Sequence, residues 1–273
     1  MSSFRLKAAA IAAIACIGVA APAAATTLRI SVTNNSGVGG LTLTPLYTAF
    51  HDGTFDAFNV GAKASPGLEA LAEDGNASVI AAARSAAHPN SQGTVIGAPQ
   101  GFAGAPLIEP GETGATTITV DGRLNQFFSF LSMILPSNDQ FIGNDNATAY
   151  RLFDAAGNFL GPQKINVTGL MAYDAGTEVN NGIGSPFASL GSGSATDENG
   201  VIGKATGILN FAGLTLPNGQ VLDPRAIDFA GNGNFNVATI TIAAVPVPAA
   251  MPLMLLGFGA LGFVARRRNK TTA

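Results

Sequence analysis

Three acidic residues sit where two apolar segments run out into turns, and they are the strongest candidates for chemistry in the chain. The segment 127–135 leads into Pro136-Ser137-Asn138-Asp139, and the segment 164–173 leads into Asp174-Ala175-Gly176-Thr177-Glu178. If these segments are neighbouring strands, Asp139, Asp174 and Glu178 converge at one end of the domain. Gly176 lies between the last two and lets the backbone turn so that both face one point. Clustered carboxylates repel one another, which favours a cation between them. A hard cation such as calcium takes about six to eight oxygens from carboxylates, carbonyls and water. Amide oxygens of Asn138 or Asn180 could complete such a shell. The plain alternative is that these acids cap turns or face solvent, as most loop acids do, and spacing leaves both readings open.

Other chemistries find less support. A Ser-His-Asp hydrolase would have to draw on His51 and Asp52, but the chain has only His51 and His88 as histidines and no Gly-x-Ser-x-Gly elbow. His51-Asp52-Gly53 reads as a turn. Zinc lacks the His and Cys ligands it prefers. The glycine-rich stretch 97–104 contains Pro99 and no Lys, so it is not a phosphate loop. A glycosidase needs two opposed acids in a cleft, and no pair stands out beyond the cluster above. With no Trp and three Tyr, a sugar-stacking cleft is disfavoured. Charged residues make up 11% of the chain and the formal net charge is −3, which argues against a nucleic-acid partner. We therefore expect a binding protein rather than an enzyme, with a polysaccharide-acting hydrolase as the rival class.

The elements that must position these acids are mostly strands. Residues 28–33 alternate apolar and polar side chains, the mark of a half-buried strand, and Asn34-Asn35-Ser36-Gly37 ends it. Similar signals recur at 41–46, 117–120, 127–135, 149–153, 164–173, 208–211 and 238–242, separated by Gly, Pro, Asn and Asp. Residues 154–158 read as a hairpin turn. One helix is expected: Ser65 caps it, Pro66 fits its first turn, Leu68, Leu71 and Ala72 share a face, and Gly75 ends it. The alanines of 79–87 do not decide. Many short strands with a single short helix predict an all-β antiparallel β-sandwich spanning residues 27–243.

Both ends of the chain read as addresses. Arg5 and Lys7, the apolar stretch 8–19 and Ala23-Ala24-Ala25 form an export signal over 1–25. The one cysteine, Cys16, falls inside it, so the exported part has no thiol and no disulfide. At the other end, Val245-Pro246-Val247-Pro248-Ala249 precedes an apolar run over 250–265 and then Arg266, Arg267 and Arg268. The run is apolar on all faces and reaches the lower edge of what spans a hydrocarbon core of about 30 Å. With the basic residues on the cytoplasmic side, it reads as a transmembrane helix within a segment 245–270.

Four motifs in order carry a family resemblance: Phe50-His51-Asp52-Gly53-Thr54-Phe55-Asp56, Leu68-Glu69-Ala70-Leu71-Ala72-Glu73-Asp74-Gly75, Met133-Ile134-Leu135-Pro136-Ser137-Asn138-Asp139, and Tyr173-Asp174-Ala175-Gly176-Thr177-Glu178. From about 28 to 242 the chain resembles the spondin N-terminal domain as it occurs in bacterial exported proteins. The resemblance implies a C2-like β-sandwich and, by analogy with animal members in extracellular matrix and adhesion proteins, a structural calcium ion. Its ligand acids fall on Asp139, Asp174 and Glu178, with Glu at the last position where animal members carry Asp. The tail resembles the PEP-CTERM class of sorting signals in its Val-Pro-Leu-Pro-Ala variant, with Val247 in place of Leu. That implies recognition by an exosortase-type processing protease, membrane attachment before processing, a Gram-negative host, and a cell-surface, exopolysaccharide or biofilm setting. A permanent membrane anchor is the alternative. A C2-like lipid-binding module is a third reading, but the loops lack the basic residues such contact uses.

Overall fold

The structure is a computed structural model of the 273-residue chain, and it describes residues 25–99, 104–187, 190–216, 219–223 and 228–246. Residues 1–24, nearly all of the expected export signal, lie outside the described residues. So do Val247, Pro248 and Ala249 of the sorting motif and the expected transmembrane run beyond them. Val245 and Pro246 follow the last strand directly. Among the described residues no helix is long and apolar enough to cross a membrane.

Two sheets carry the fold. The smaller has the order β5 (Thr113–Val120), β1 (Thr26–Asn34), β12 (Asn236–Ala244), β9 (Gln163–Thr168), all antiparallel. The larger runs β11 (Gly203–Lys204), β10 (Ala172–Asp174), β7 (Gln140–Gly143), β6 (Phe127–Leu135), β3 (Leu46–His51), β4 (Gln92–Ile96). Two short strands, β2 (Thr42–Leu43) and β8 (Tyr150–Arg151), also pair with β6. The alternation in β1 does what its pattern predicts: Leu28, Ile30 and Val32 are fully buried between the sheets, against Ile240 and Ile242 of β12. Burial of each such side chain contributes about 1.5–3 kcal/mol.

Strand β6 is apolar except at Ser129 and Ser132 because both of its faces are covered. Phe128, Phe130 and Ile134 enter the core between the sheets, while Leu131 packs into a second core on the outer face with Tyr47, Phe141 and Tyr173. Two helices close that outer core. The first, α1 (Pro66–Asp74), begins as the sequence predicts: the Ser65 hydroxyl accepts from the Leu68 N–H at 3.2 Å, and Leu68, Leu71 and Ala72 are buried. Gly75 ends it at φ 67°, and a Cβ there would lie 2.6 Å from the Thr44 methyl, so both backbone and packing require glycine.

Four expectations are corrected. The undecided alanine stretch is a second helix, α2 (Ser78–Ala87), favoured by alanine's helix propensity and held down by Ile80 and Arg84. Thus there are two short helices where one was expected. Residues 208–211 form a 3-10 turn (Leu209–Phe211), not a strand; Phe211 is buried by turning inward. The expected strand 41–46 is broken around Pro45 into β2 and the start of β3. Segment 164–173 is not one strand. It breaks at a 3-10 turn (Gly169–Met171), whose Leu170 N–H donates to the Gly233 carbonyl at 3.0 Å, and so passes from β9 in the smaller sheet to β10 in the larger.

The register distinguishes the two ends of the sandwich. At one end Leu28 pairs with Ala244, and the Val245 N–H donates to the Thr27 carbonyl at 2.8 Å. At the other end the Asn34 side-chain amide donates to the Leu41 and Ile108 carbonyls, both at 2.9 Å, and Thr42 pairs with Leu135. The turn joining β6 to β7 lies at this second end, away from the point where the chain leaves β12.

Candidate functional site: an acidic loop junction

Strand β7 lies between β6 and β10, so the two predicted acid-bearing segments are not neighbours. Asp139 is nevertheless brought to Asp174, because the β6–β7 turn and the end of β10 meet where Gln140 pairs with Asp174. The turn is tied by Ser137, whose hydroxyl donates to the Ile134 carbonyl at 2.6 Å and accepts from the Gln140 N–H at 3.0 Å. Asn138 fastens the turn to the following loop. Its N–H donates to the Asn180 side-chain oxygen at 2.9 Å, its own side-chain oxygen accepts from the Gly182 N–H at 2.9 Å, and its amide donates to the Ile183 carbonyl at 3.0 Å.

Asp139 is fully buried and organises the junction. One carboxylate oxygen accepts from the Thr177 N–H at 2.8 Å, the Glu178 N–H at 3.1 Å and the Thr177 hydroxyl at 3.2 Å. The other accepts from the side-chain amide of Asn180, whose nitrogen also donates to Asp174 at 2.9 Å. Asn180 therefore bridges Asp139 and Asp174. Asp174 in turn accepts from the Gly176 N–H at 2.9 Å, and Gly176 adopts φ 67° to allow it.

Glu178 is also a neighbour of Asp139. Its carboxylate accepts a long contact from Asn138 at 3.4 Å, and its acidic neighbours are Glu73, Asp139 and Asp74. The three predicted acids thus flank one another, with Asp139 central, rather than meeting at a single point. Among the described residues no group of three or more His, Cys, Asp and Glu side chains is gathered so as to hold a metal ion. The amide oxygens of Asn138 and Asn180 are already occupied by backbone N–H groups.

Among the described residues no cation pairs with the acids of this junction. Burial, and next the Asp139 charge, push Asp174 up from 3.8 to about 6. Burial, and next the Glu73 charge, push Glu178 up from 4.5 to about 7. Burial also raises Glu73, with Glu69 and Asp139 adding to the effect. The nearby cations are spent elsewhere: Lys63 donates to the Asn199 carbonyl at 3.0 Å, and Lys204 donates to the Leu170 carbonyl at 2.6 Å while lying 3.8 Å from the Tyr173 ring centre. A cleft of about 200 Å³ opens beside the junction, lined by Lys63, Glu69, Glu73, Thr177 and Asp197. Glu69 and Glu73 were missed in the sequence, although two acids at i and i+4 of a predicted helix share a face and are unfavourable unless something offsets them.

The histidine that a hydrolase would need is differently employed. His51 Nδ1 accepts from the Gly53 N–H at 3.1 Å, which leaves Nε2 to donate to the Ser129 hydroxyl at 3.0 Å. A general base must do the reverse and accept the serine proton. Ser129 also accepts from the Asn144 amide at 3.1 Å, and burial lowers the His51 pKa to about 4. The trio is a buried structural network.

A family model described as Spondin_N matches residues 40–197, more than half of the chain. The match takes in α1, α2, strands β2 to β10, and every acid of the junction from Glu69 to Asp197. A search of the curated proteins finds no match.

Proposed function

Because the chain belongs to the Spondin_N family, we propose that it is an exported binding domain of the adhesion type, working at the cell surface or in the extracellular matrix and not as an enzyme. The observation that carries this reading is the acidic junction: it ties the β6–β7 turn to the loop after β10 around Asp139, and among the described residues no cation pairs with Asp174 or Glu178. Calcium suits a donor set that is all oxygen and net negative; Asp139, Asp174 and Glu178, which do not converge on one point here, would have to draw together to hold it. The ion would supply positive charge to a cluster whose members otherwise repel, a structural contribution. Asn180, which links Asp139 to Asp174 by hydrogen bonds, keeps the two carboxylates together without the ion.

The tail completes the proposal. Val245, Pro246, Val247, Pro248 and Ala249 would be read by an exosortase-type protease that releases the domain from its membrane segment into an exopolysaccharide or biofilm matrix. The test of the binding reading is thermal unfolding with and without millimolar calcium. We expect the melting temperature to rise with calcium and Asp174→Ala to abolish the rise; an unchanged curve would remove calcium from the proposal while leaving the adhesive role to a pull-down from native matrix.

A further inference from the structure

On the outer face of the larger sheet, α2 buries a cation without an anion. Arg84 is only 7% exposed. Its Nε–H donates to the Tyr47 hydroxyl at 2.9 Å, one terminal nitrogen donates to the Ser91 hydroxyl, and the other donates to the Ser85 hydroxyl at 3.1 Å. All three partners are neutral. A guanidinium has five N–H groups, so two remain, and among the described residues no carboxylate forms an ion pair with it. Charged side chains are almost never buried so deeply unless paired, because desolvation costs more than neutral hydrogen bonds return.

Arg84 lines a recess of about 200 Å³ between α2 and the loop that follows β3. Phe55, Ala57 and Ile80 give it apolar walls, and the His88 ring stands edge-on to Phe55 with centroids 5.7 Å apart. Ser65, the N-cap of α1, also faces it, so the positive end of that helix adds to the field of Arg84. One acid, Asp56, is on the lining, but its carboxylate accepts from the Asn59 amide at 2.9 Å.

We propose that this recess binds the carboxylate of a small monocarboxylic acid, with Arg84 as the charged partner and the Phe55, Ala57 and Ile80 walls holding the hydrocarbon part. A planar fork with two unspent N–H groups suits a carboxylate. Asp56 on the lining disfavours a dianion such as phosphate more than a monoanion. The site is independent of the calcium reading, since it shares no residue with the acidic junction.

Butyrate is the probe. In the full-length chain held in non-ionic detergent, the Arg84 Nε–H resonance is followed by NMR during titration with sodium butyrate, with sodium chloride and butylammonium chloride as controls. We expect a saturable shift with butyrate at about millimolar concentration, the strength typical of a ligand of this size, and none with either control. Acetate should bind several-fold more weakly because it leaves the walls uncovered. Ala83→Leu, at an exposed helical position lining the recess, should abolish saturation while leaving Arg84 and the fold intact. Arg84→Lys, where it folds, should weaken binding about tenfold by losing the fork. A linear, non-saturating response to butyrate, an equal response to chloride, or full binding by Ala83→Leu overturns the proposal.

Discussion

Replacing Asp139 tests whether a buried carboxylate, rather than the loops around it, builds the junction. In Asp139→Ala the Thr177 and Glu178 N–H groups and the Asn180 amide all lose their acceptor. Hydrogen bonds to a charged group contribute about 1.5–3 kcal/mol each, and water entering from the cleft beside Thr177 recovers part of that loss. The expected cost is about 3–6 kcal/mol, a large share of the roughly 5–15 kcal/mol available to a domain. Asp139→Asn keeps the shape, but whichever way its amide turns, the new NH₂ faces either Asn180 or the Thr177 and Glu178 N–H groups. A cost of about 2–3 kcal/mol is expected for it. Urea unfolding followed by circular dichroism measures both. A second readout comes from Asp174, whose pKa should fall from about 6 toward its ordinary value in either variant, keeping part of its elevation because burial is the larger cause. An Asp139→Ala variant within about 1 kcal/mol of the parent would refute the reasoning, since ordinary surface substitutions reach only about half of that.

Further outcomes follow from the same geometry. Asp174 and Glu178 bind protons more tightly folded than unfolded, so their contribution to stability is full below 3.8 and 4.5 and is lost as pH rises through about 6 and about 7; without calcium this part of the melting temperature should fall between pH 4 and 7 (about that window), and the gain from calcium should be larger at the upper end. A calcium effect that shrinks with rising pH would contradict the assignment. Ser65→Ala should cost about 1 kcal/mol through the lost helix cap, while Gly75→Ala should cost more because it adds both a strained φ and a contact with Thr44; equal effects in urea unfolding would show that the Thr44 contact relaxes freely. Ser129→Ala should lower stability without removing any hydrolytic activity measured on polysaccharide substrates, and loss of such activity would revive the enzyme reading. Intact mass of the protein recovered from its native host should lack residues 266–270; their retention would mean a permanent anchor.

Strand periodicity made much of the fold legible. The alternation in β1 and β12, the mostly apolar run of β6 and the punctuated helix α1 were all readable because each pattern answers to one local environment. What could not be read is where a continuous apolar segment changes sheets: nothing local in Gly169–Met171 announces that β9 and β10 belong to different layers, because the break is fixed by bonds to Gly233 and Phe235 far along the chain. Strand β7 was hidden for a related reason, being four residues long and buried on both faces. At the site, the acids themselves were legible from their turns. Their arrangement was not, since it depends on Asn180 reaching across to Asp139 and on α1 bringing Glu73 against Glu178.

Strand β12 has a mechanical consequence. It is an interior strand, paired antiparallel with β1 on one flank and β9 on the other, and the chain leaves it at the end opposite the acidic junction. Were a partner gripped at that junction while the chain is held beyond Ala244, the pull on β12 would run along its length. Ladder hydrogen bonds lie perpendicular to the strand, so such a pull loads both flanks at once in shear instead of opening bonds one after another. Under such a pull the lifetime of the fold would be set by the rate of drawing one strand from between two neighbours.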